Sequence, residues 1–599
     1  MKRIVSLLLI LAYLCLPLVA CRQNDEYIGE SEFAGEIESD AHISTSATSE
    51  TSVAPGTEAD TEYETMGKTD LSVFEVNPAL PAFEATLTYA CADGMILNQY
   101  DGCVYKDFYA AGAYYLVDGY EVYCSNNIGE TMSLTVTKDD AYRTLFFSGR
   151  GNILYIGSSE SGAASFPEVT ESYVKEYDVT VTQNYSARIN GMGYVIRLAD
   201  GSFIVYDGGY VENAEDLYKT LCDLNGKSDR IYIRAWVLTH SHTDHFSAFS
   251  QIAESYAHEI KLDTVIYAPA NNLTDAAIRN GIEYFNDTLA EHVSRFDGAK
   301  LCPVHTGMSF SFPGVKLEIL MTSEQLSKTA QISDSNNTST VSRIVGDGGS
   351  MIFLGDIGAA GCEWMLGTYD DALKSDMVQV SHHGCETATA EFYDKVAAPL
   401  LFWPCNEMLF GQYRGELVKQ HLIEADYSVE HILHEYGTIT RSLSYKPGQP
   451  EYIDLFPKRK SLVNGNSCVE NASIEGGVLK YRVTDAADPY VSVLLLGIDT
   501  GKCNMLRIVA GADDCEGSGI YVTYGNTKPG VYSEIGKKDV GRQGTSDDGK
   551  MTLLVYLGNM ENFNGELNAV RFDFGTQNGQ TVEIYSIEAY YVDIDSKKR

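Results

Sequence analysis

Thr239-His240-Ser241-His242-Thr243-Asp244-His245 sets three imidazoles and a carboxylate within six residues. The chain has only 12 histidines in 599 residues, so chance in a polar turn is a poor account of the cluster. Neutral imidazoles and carboxylates are the ligand set of zinc and related divalent cations. Buried without such a partner they would go unsatisfied at high cost. The apolar run Ile231 to Leu238 before them reads as a strand, whose end would fan the four groups into a pocket.

Other strand-like runs end in groups of the same kind. Ile204-Val205-Tyr206 runs into Asp207-Gly208-Gly209, where the glycines permit a tight turn at positive φ. Met351-Ile352-Phe353-Leu354 runs into Gly355-Asp356, and Met377 to Val380 runs into Ser381-His382-His383-Gly384. Asn336-Asn337 precedes the Asp356 strand. Each piece alone is an ordinary turn; the order of the set around His-x-His-x-Asp-His is what carries weight.

In that order the segment resembles the metallo-β-lactamase-fold metallo-hydrolase superfamily. Asn-Asn and His-His-Gly make it most similar to the branch holding the hydrolase domain of competence DNA-uptake proteins and secreted phosphorylcholine esterases. The resemblance implies an α/β fold of αββα type, two face-to-face sheets with helices outside. It implies that His240 and His242 hold a first metal, and that Asp244, His245 and one of His382 and His383 hold a second. Of those two, His382 is preferred as nearer the strand end. Asp356 would bridge both metals, and Asp207 would support the His loop from behind, since ligating imidazoles need an acceptor for their other N–H. Asn336 or Asn337 would approach metal or substrate. Asp244 and Asp356 are the carboxylates expected to take part in catalysis. The cofactors would be two divalent ions, zinc first, with manganese or iron also suited to N/O ligands. About 3.5–4 Å apart, they would acidify water for attack on phosphorus or a carbonyl carbon.

The sequence also departs from the family. A further histidine common between the His cluster and the bridging Asp has no clear counterpart among His258, His292 and His305. Phe246-Ser247-Ala248 stands where Gly-Gly is common, and Cys385 where Ser is common. Cys385 reads as a small filler rather than a ligand, and His434 as a surface or packing residue. A binding protein with a degenerate site would be expected to have lost ligands, but every core position is filled. A flavodiiron-type oxidoreductase would carry an acidic group where His242 stands, and an attached flavin domain.

The elements around the motifs divide the chain into five parts. Lys2-Arg3, the apolar run Ile4 to Leu16 and Leu18-Val19-Ala20-Cys21 read as a lipoprotein signal peptide, 1–21. Lipid on Cys21 would anchor the chain to a bacterial membrane, with an extracytoplasmic address. Residues 22–70, rich in Ser, Thr and acidic residues, read as a disordered tether. Short strand-like runs over 71–170 suggest a small β-rich domain. Alternating strands and helices over 171–450 form the α/β hydrolase domain. Regularly spaced strands over 461–595 suggest a β-sandwich, and the segments Tyr532-Ser533-Glu534 and Val570 to Phe574 resemble those of carbohydrate-binding modules.

With Lys+Arg 44 against Asp+Glu 83, the charge of −39 argues against nucleic acid as the main partner. The short run Lys458-Arg459-Lys460 reads as a solvated linker. No protein partner is inferred. The cysteines number 13, including Cys15 and Cys21, so an odd number remain. Cys91, Cys103 and Cys124, or Cys503 and Cys515, could pair; buried free thiols are the alternative. The expected activity is hydrolysis of a phosphodiester in a surface polymer or small molecule. A lactone, β-lactam or thioester is the alternative substrate, and a non-catalytic metal-binding surface protein the alternative class.

Overall fold

The computed structural model describes residues 84–170, 172–226, 230–274, 276–385, 388–411, 416–511, 518–540 and 548–594. The signal segment, Cys21, the acidic tether and Cys515 lie outside them. Among the described residues no helix is long and apolar enough to cross a membrane.

The centre of the chain builds two seven-stranded sheets. In the first, Phe203–Asp207, Ile231–Leu238, Ile260–Tyr267 and Lys300–Pro303 run parallel. All five residues of Phe203–Asp207 are buried, as expected of a parallel strand covered on both faces. In the second sheet Gly349–Phe353, Met377–Gln379, Leu400–Trp403 and Glu430–Leu433 run parallel. The sheets meet through Tyr206 and Phe353, stacked with centroids 3.7 Å apart, and Tyr194 packs on the edges of Phe353 and Phe402. Each such ring contributes about 1.5–3 kcal/mol by burial. The helices Ala214–Asn225, Thr243–Ser255 and Ala276–Val293 cover the first sheet, where Leu217, Phe249 and Leu289 meet Val205, Ile233 and Trp236 in one cluster.

A six-stranded antiparallel sheet precedes this body, from Leu87–Ala90 to Ile153–Ser159, and carries the helix Tyr105–Val117. The helix packs on the strands with Phe108, Ala111 and Tyr115 buried, and the residues turned toward the body share the body's core. Met95, Leu97, Phe146 and Tyr155 belong to the same buried cluster as Phe310, Leu317, Met365 and Tyr369 of the body. Phe146 stacks on Trp364, and Asn126 Nδ2 donates to Glu318 Oε1 at 2.7 Å. The C-terminal strands form two facing sheets, of six and five strands, around a separate cluster that includes Tyr481, Ile508 and Phe572. They lean on the body through Tyr436 against Tyr556 and through Lys538, which donates to both oxygens of Glu407 at 3.1 and 2.9 Å. Cys91, Cys103, Cys124 and Cys503 are free thiols, three of them buried and Cys124 half-buried. The thiol alternative thus holds for the first group.

Candidate metal centre

The carboxyl ends of the parallel strands in both sheets meet at one edge, the place where open α/β sheets assemble sites. Thr239 and His240 leave the strand Ile231–Leu238. His242 is the N-cap of Thr243–Ser255, which puts Asp244 and His245 in its first turn. There the helix dipole favours a carboxylate. Asp207 closes its own strand at φ 49°. Its Oδ1 accepts from the Thr239 amide at 2.8 Å, and its Oδ2 from the Thr239 hydroxyl at 2.7 Å and from His245 Nδ1 at 2.8 Å. That contact fixes the His245 tautomer and turns Nε2 inward.

From the second sheet comes Asp356, carried by Gly355 at φ 55°, where a Cβ would stand 2.9 Å from Ser339 Oγ. Buried Gln379 holds that turn: its Oε1 accepts from the amides of Leu354 and Gly355 at 2.8 and 2.9 Å. His382 and His383 follow, both with left-handed backbone at φ 48° and 58°. The reversal splits the pair. His383 points in, buried, with Nδ1 donating to Pro404 O at 2.9 Å. His382 stays at the rim, its side chain 26% exposed and Nε2 4.0 Å from Asp356 Oδ2.

The side chains fall into two groups of three whose ligand atoms lie within 4.8 Å of one another: His240, His242 and Asp356, and Asp244, His245 and His383. The His382 preferred from strand position is not in the second group, because the paired left-handed residues advance the inward position by one. His240 Nε2 and His242 Nδ1 lie 3.0 Å apart. Two nitrogens on one tetrahedral zinc, with Zn–N of about 2.0–2.1 Å, would be about 3.3 Å apart. His383 Nε2 is 3.0 Å from Asp244 Oδ2, while Asp356 Oδ1 lies 3.3 Å from His245 Nε2 and its Oδ2 3.7 Å from the Nε2 of both His240 and His383. Asp356 therefore reaches both groups. His245 Nε2, His383 Nε2 and Asp356 Oδ1 are all buried with no aligned hydrogen-bond partner in the protein. Buried polar atoms are seldom left so, and these three converge. The donor set and its orphaned atoms fit divalent cations.

Residues 227–380 match the family model of the Beta-lactamase superfamily domain. That stretch runs from just before the strand of the His cluster to the end of Met377–Gln379, and the second pair of histidines lies just past it. Solved structures similar to parts of the chain include a metallo-beta-lactamase from Cronobacter sakazakii, at 18% identity over 32% of this chain and 72% of that one, TM-score 0.20. A mutant of the CmlA beta-hydroxylase gives 13% identity over 45% and 55%, TM-score 0.29, so the chain spans about half of that protein. A low affinity xylan binding module from Roseburia intestinalis gives 14% identity over 24% and 95%, TM-score 0.17. No curated protein matches the sequence.

Within the centre, electrostatics follow from burial opposed by opposite charge. Burial holds His240 well below its ordinary range, reinforced by the nearby charge of His245. Burial also pulls His245 down, but Asp356 and Asp207 outweigh it and hold the ring protonated. Asp356 and Asp244 resist burial because His245 and His383 lie against them, and both are held below the carboxylate range. A cation at His245 Nε2 would replace that proton and offset the same carboxylates.

Of the asparagines, Asn336 faces the centre, its Nδ2 3.4 Å from His382 Nε2 and its Oδ1 buried without a partner. Asn337 Oδ1 instead accepts from the Gly358 amide at 3.3 Å, bracing the turn after Asp356. Phe246 packs edge-on against Phe285 in the outer helix layer, away from the ligands. His258 is exposed, His292 sits in the helix Ala276–Val293, and His305 lies 3.0 Å from Asp93 of the N-terminal sheet. Hence none of the three joins either group.

Sequence reasoning missed the supports. Ser335 Oγ lies 2.5 Å from His242 Nε2, and Asn190 Nδ2 donates to Asp244 Oδ2 at 2.5 Å. Of the surface and packing roles open to His434, the structure gives the packing one: it is buried between the carbonyls of Arg188 and Gly191, and burial pushes it down to about 4. Nothing in the local sequence marks Asn190 or His434, since both act through contacts made more than 50 residues away in the chain.

Proposed function

We propose that the chain is a metal-dependent hydrolase, acting as a phosphodiesterase on cell-surface or extracellular polymers. The observation that carries this is the convergence of both side-chain groups on Asp356, with Nε2 of His245 and His383 orphaned beside it. His240, His242 and Asp356 would hold one divalent cation, and Asp244, His245, His383 and Asp356 the second, zinc being the first choice. Bound there, the cations supply Lewis acidity, polarising the scissile group and acidifying water. The chain supplies the rest. Asp207 and Pro404 fix the tautomers of His245 and His383, so that their ligating nitrogens need no reorientation. Asp356, reaching both groups, keeps them at a set spacing. Asn336 and His382, at the rim, meet the substrate.

Two separate ligand groups sharing one carboxylate suit in-line displacement at phosphorus, because the entering and leaving oxygens can be stabilised at once. The extracytoplasmic address rests on Lys2-Arg3, the apolar run Ile4 to Leu16 and Cys21, where lipid would supply membrane attachment. Such an address favours a polymer of the cell surface as substrate. The test is elemental analysis of the purified chain together with hydrolysis of bis-p-nitrophenyl phosphate. About two metals per chain and measurable cleavage are expected, and His240→Ala and Asp356→Ala should lose both. A metal-free wild type, or full activity in these variants, would sink the reading.

A further inference from the structure

Beside the Asp244 group the structure holds a cation that the proposed chemistry has not used. Arg188 lays its guanidinium over the ring of Tyr210, 5.4 Å from its centroid. The Tyr210 hydroxyl donates to Asn190 Oδ1 at 3.1 Å, and Asn190 Nδ2 donates to Asp244 Oδ2 at 2.5 Å. Arg188 thus stands three contacts from a ligand of the second cluster. Tyr210 lies between them, within the electrostatic reach of both Arg188 and Asp244.

The backbone under Arg188 is held from several sides. Its amide donates to Ser186 Oγ at 3.1 Å, which also accepts from Asn213 Nδ2 at 3.0 Å. His434 Nε2 lies 3.1 Å from the Arg188 carbonyl, Asn406 N donates to Ile189 O at 3.0 Å, and Asn190 bridges to Cys405. Only the side chain beyond this frame is open, 52% exposed and paired with Glu212, itself 57% exposed. A surface pair of that kind is worth little by itself, about 0–1 kcal/mol, so its arginine can change partner at small cost. The chain carries a charge of −39. Salt screens most of that field beyond about 8–10 Å, which leaves nearby groups to decide whether an anion is received.

We propose that Arg188 is the substrate-recognition residue of this centre, trading Glu212 for the negatively charged phosphate oxygens of a diester held over Tyr210. This rests on the hydrolase reading and narrows it to anionic esters. Arginine suits the task because its planar fork binds two phosphate oxygens at once, and stacking on a ring pre-organises it. Glu212 acts as a counter-charge that the substrate displaces.

The test uses the zinc-loaded full chain in two measurements. In the first, inorganic phosphate is titrated calorimetrically into wild type, Arg188→Ala, Arg188→Lys and Glu212→Gln at equal zinc content. Loss of a charged donor should weaken phosphate binding about tenfold in Arg188→Ala, with partial recovery in Arg188→Lys and tighter binding in Glu212→Gln. In the second, kcat/KM is compared for bis-p-nitrophenyl phosphate and for neutral p-nitrophenyl acetate. Their ratio should fall about tenfold in Arg188→Ala. Equal phosphate affinity and an unchanged ratio in a normally folded Arg188→Ala would overturn the proposal and leave the hydrolase reading intact. If wild type cleaves neither ester, the hydrolase reading fails, and the phosphate titration still decides the role of Arg188.

Discussion

Asp207 offers a demanding test of the centre, because asparagine can replace it with almost no change of shape. Asn tolerates the left-handed backbone that Asp207 adopts at φ 49°, so the turn should survive. The pattern of donors should not. Asp207 is fully buried and accepts three bonds, from the Thr239 amide and hydroxyl and from His245 Nδ1. With one oxygen replaced by an NH2 group, either a Thr239 bond is lost or the amide donates to His245 Nδ1. In the second case the imidazole proton moves to Nε2, the atom that faces Asp356 at 3.3 Å, and blocks the ligand position. Loss of a hydrogen bond to a charged group costs about 1.5–3 kcal/mol. At 1.4 kcal/mol per tenfold, this is about 10- to 150-fold in affinity for the second metal, in the range usual for residues supporting metal ligands. The assay is zinc competition against a chromophoric chelator, read as two successive binding steps, with circular dichroism as the folding control. One step alone, that of the metal held by His245, should shift in Asp207→Asn. A folded variant with both steps within about threefold of wild type would refute the claim that Asp207 sets the His245 tautomer.

Four further outcomes are expected. His383→Ala should lower the metal content from about two ions to about one, whereas His382→Ala should keep both and lose turnover, as measured by elemental analysis and bis-p-nitrophenyl phosphate cleavage; equal metal loss in the two would refute the inward-outward split. Lys538→Met should destabilise the fold by about 1–3 kcal/mol, because it strips the partner from the mostly buried carboxylate of Glu407, and adding Glu407→Gln should recover part of the loss in a thermal-unfolding double-mutant cycle. His305 is pulled down by burial, but Asp93, Cys91 and Glu324 raise it well above its ordinary value. Its stabilisation is therefore complete below the unfolded value of about 6.5 and is lost as pH rises through the raised value, so the melting-temperature gap between wild type and His305→Gln should be wider at pH 6 than at pH 10.

Strands that end in chemistry were legible in the sequence because buried parallel strands leave unbroken apolar runs. Ile231–Leu238 matches its run residue for residue, and Met377–Gln379 falls within its own. The C-terminal strands were visible as short apolar or alternating runs between Gly, Asn and Asp turns; Lys550–Tyr556 and Glu566–Asp573 are examples. The inward choice between His382 and His383 was not legible, because it depends on two successive left-handed residues, and although histidine visits that region more often than most residues, nothing local marks two in a row. Nor was the role of Gln379, which reads as one polar residue inside a strand until its amide is seen closing the Gly355 turn. The shared core of the N-terminal sheet was hidden for a related reason: Phe146 and Tyr155 look like the interior of a small domain, and only tertiary packing shows them against Trp364 and Tyr369.

That shared core limits how the chain can be divided. Cutting it near residue 170 would leave Phe310, Trp364 and Tyr369 facing water, an apolar scar on the central body. The severed sheet would lose Glu318, the partner of its Asn126, and His305, the partner of its Asp93. The C-terminal sheets have an interior of their own, yet Met505, Leu554, Tyr556 and Tyr590 are buried in the cluster of the body, so a cut there would also bare apolar surface.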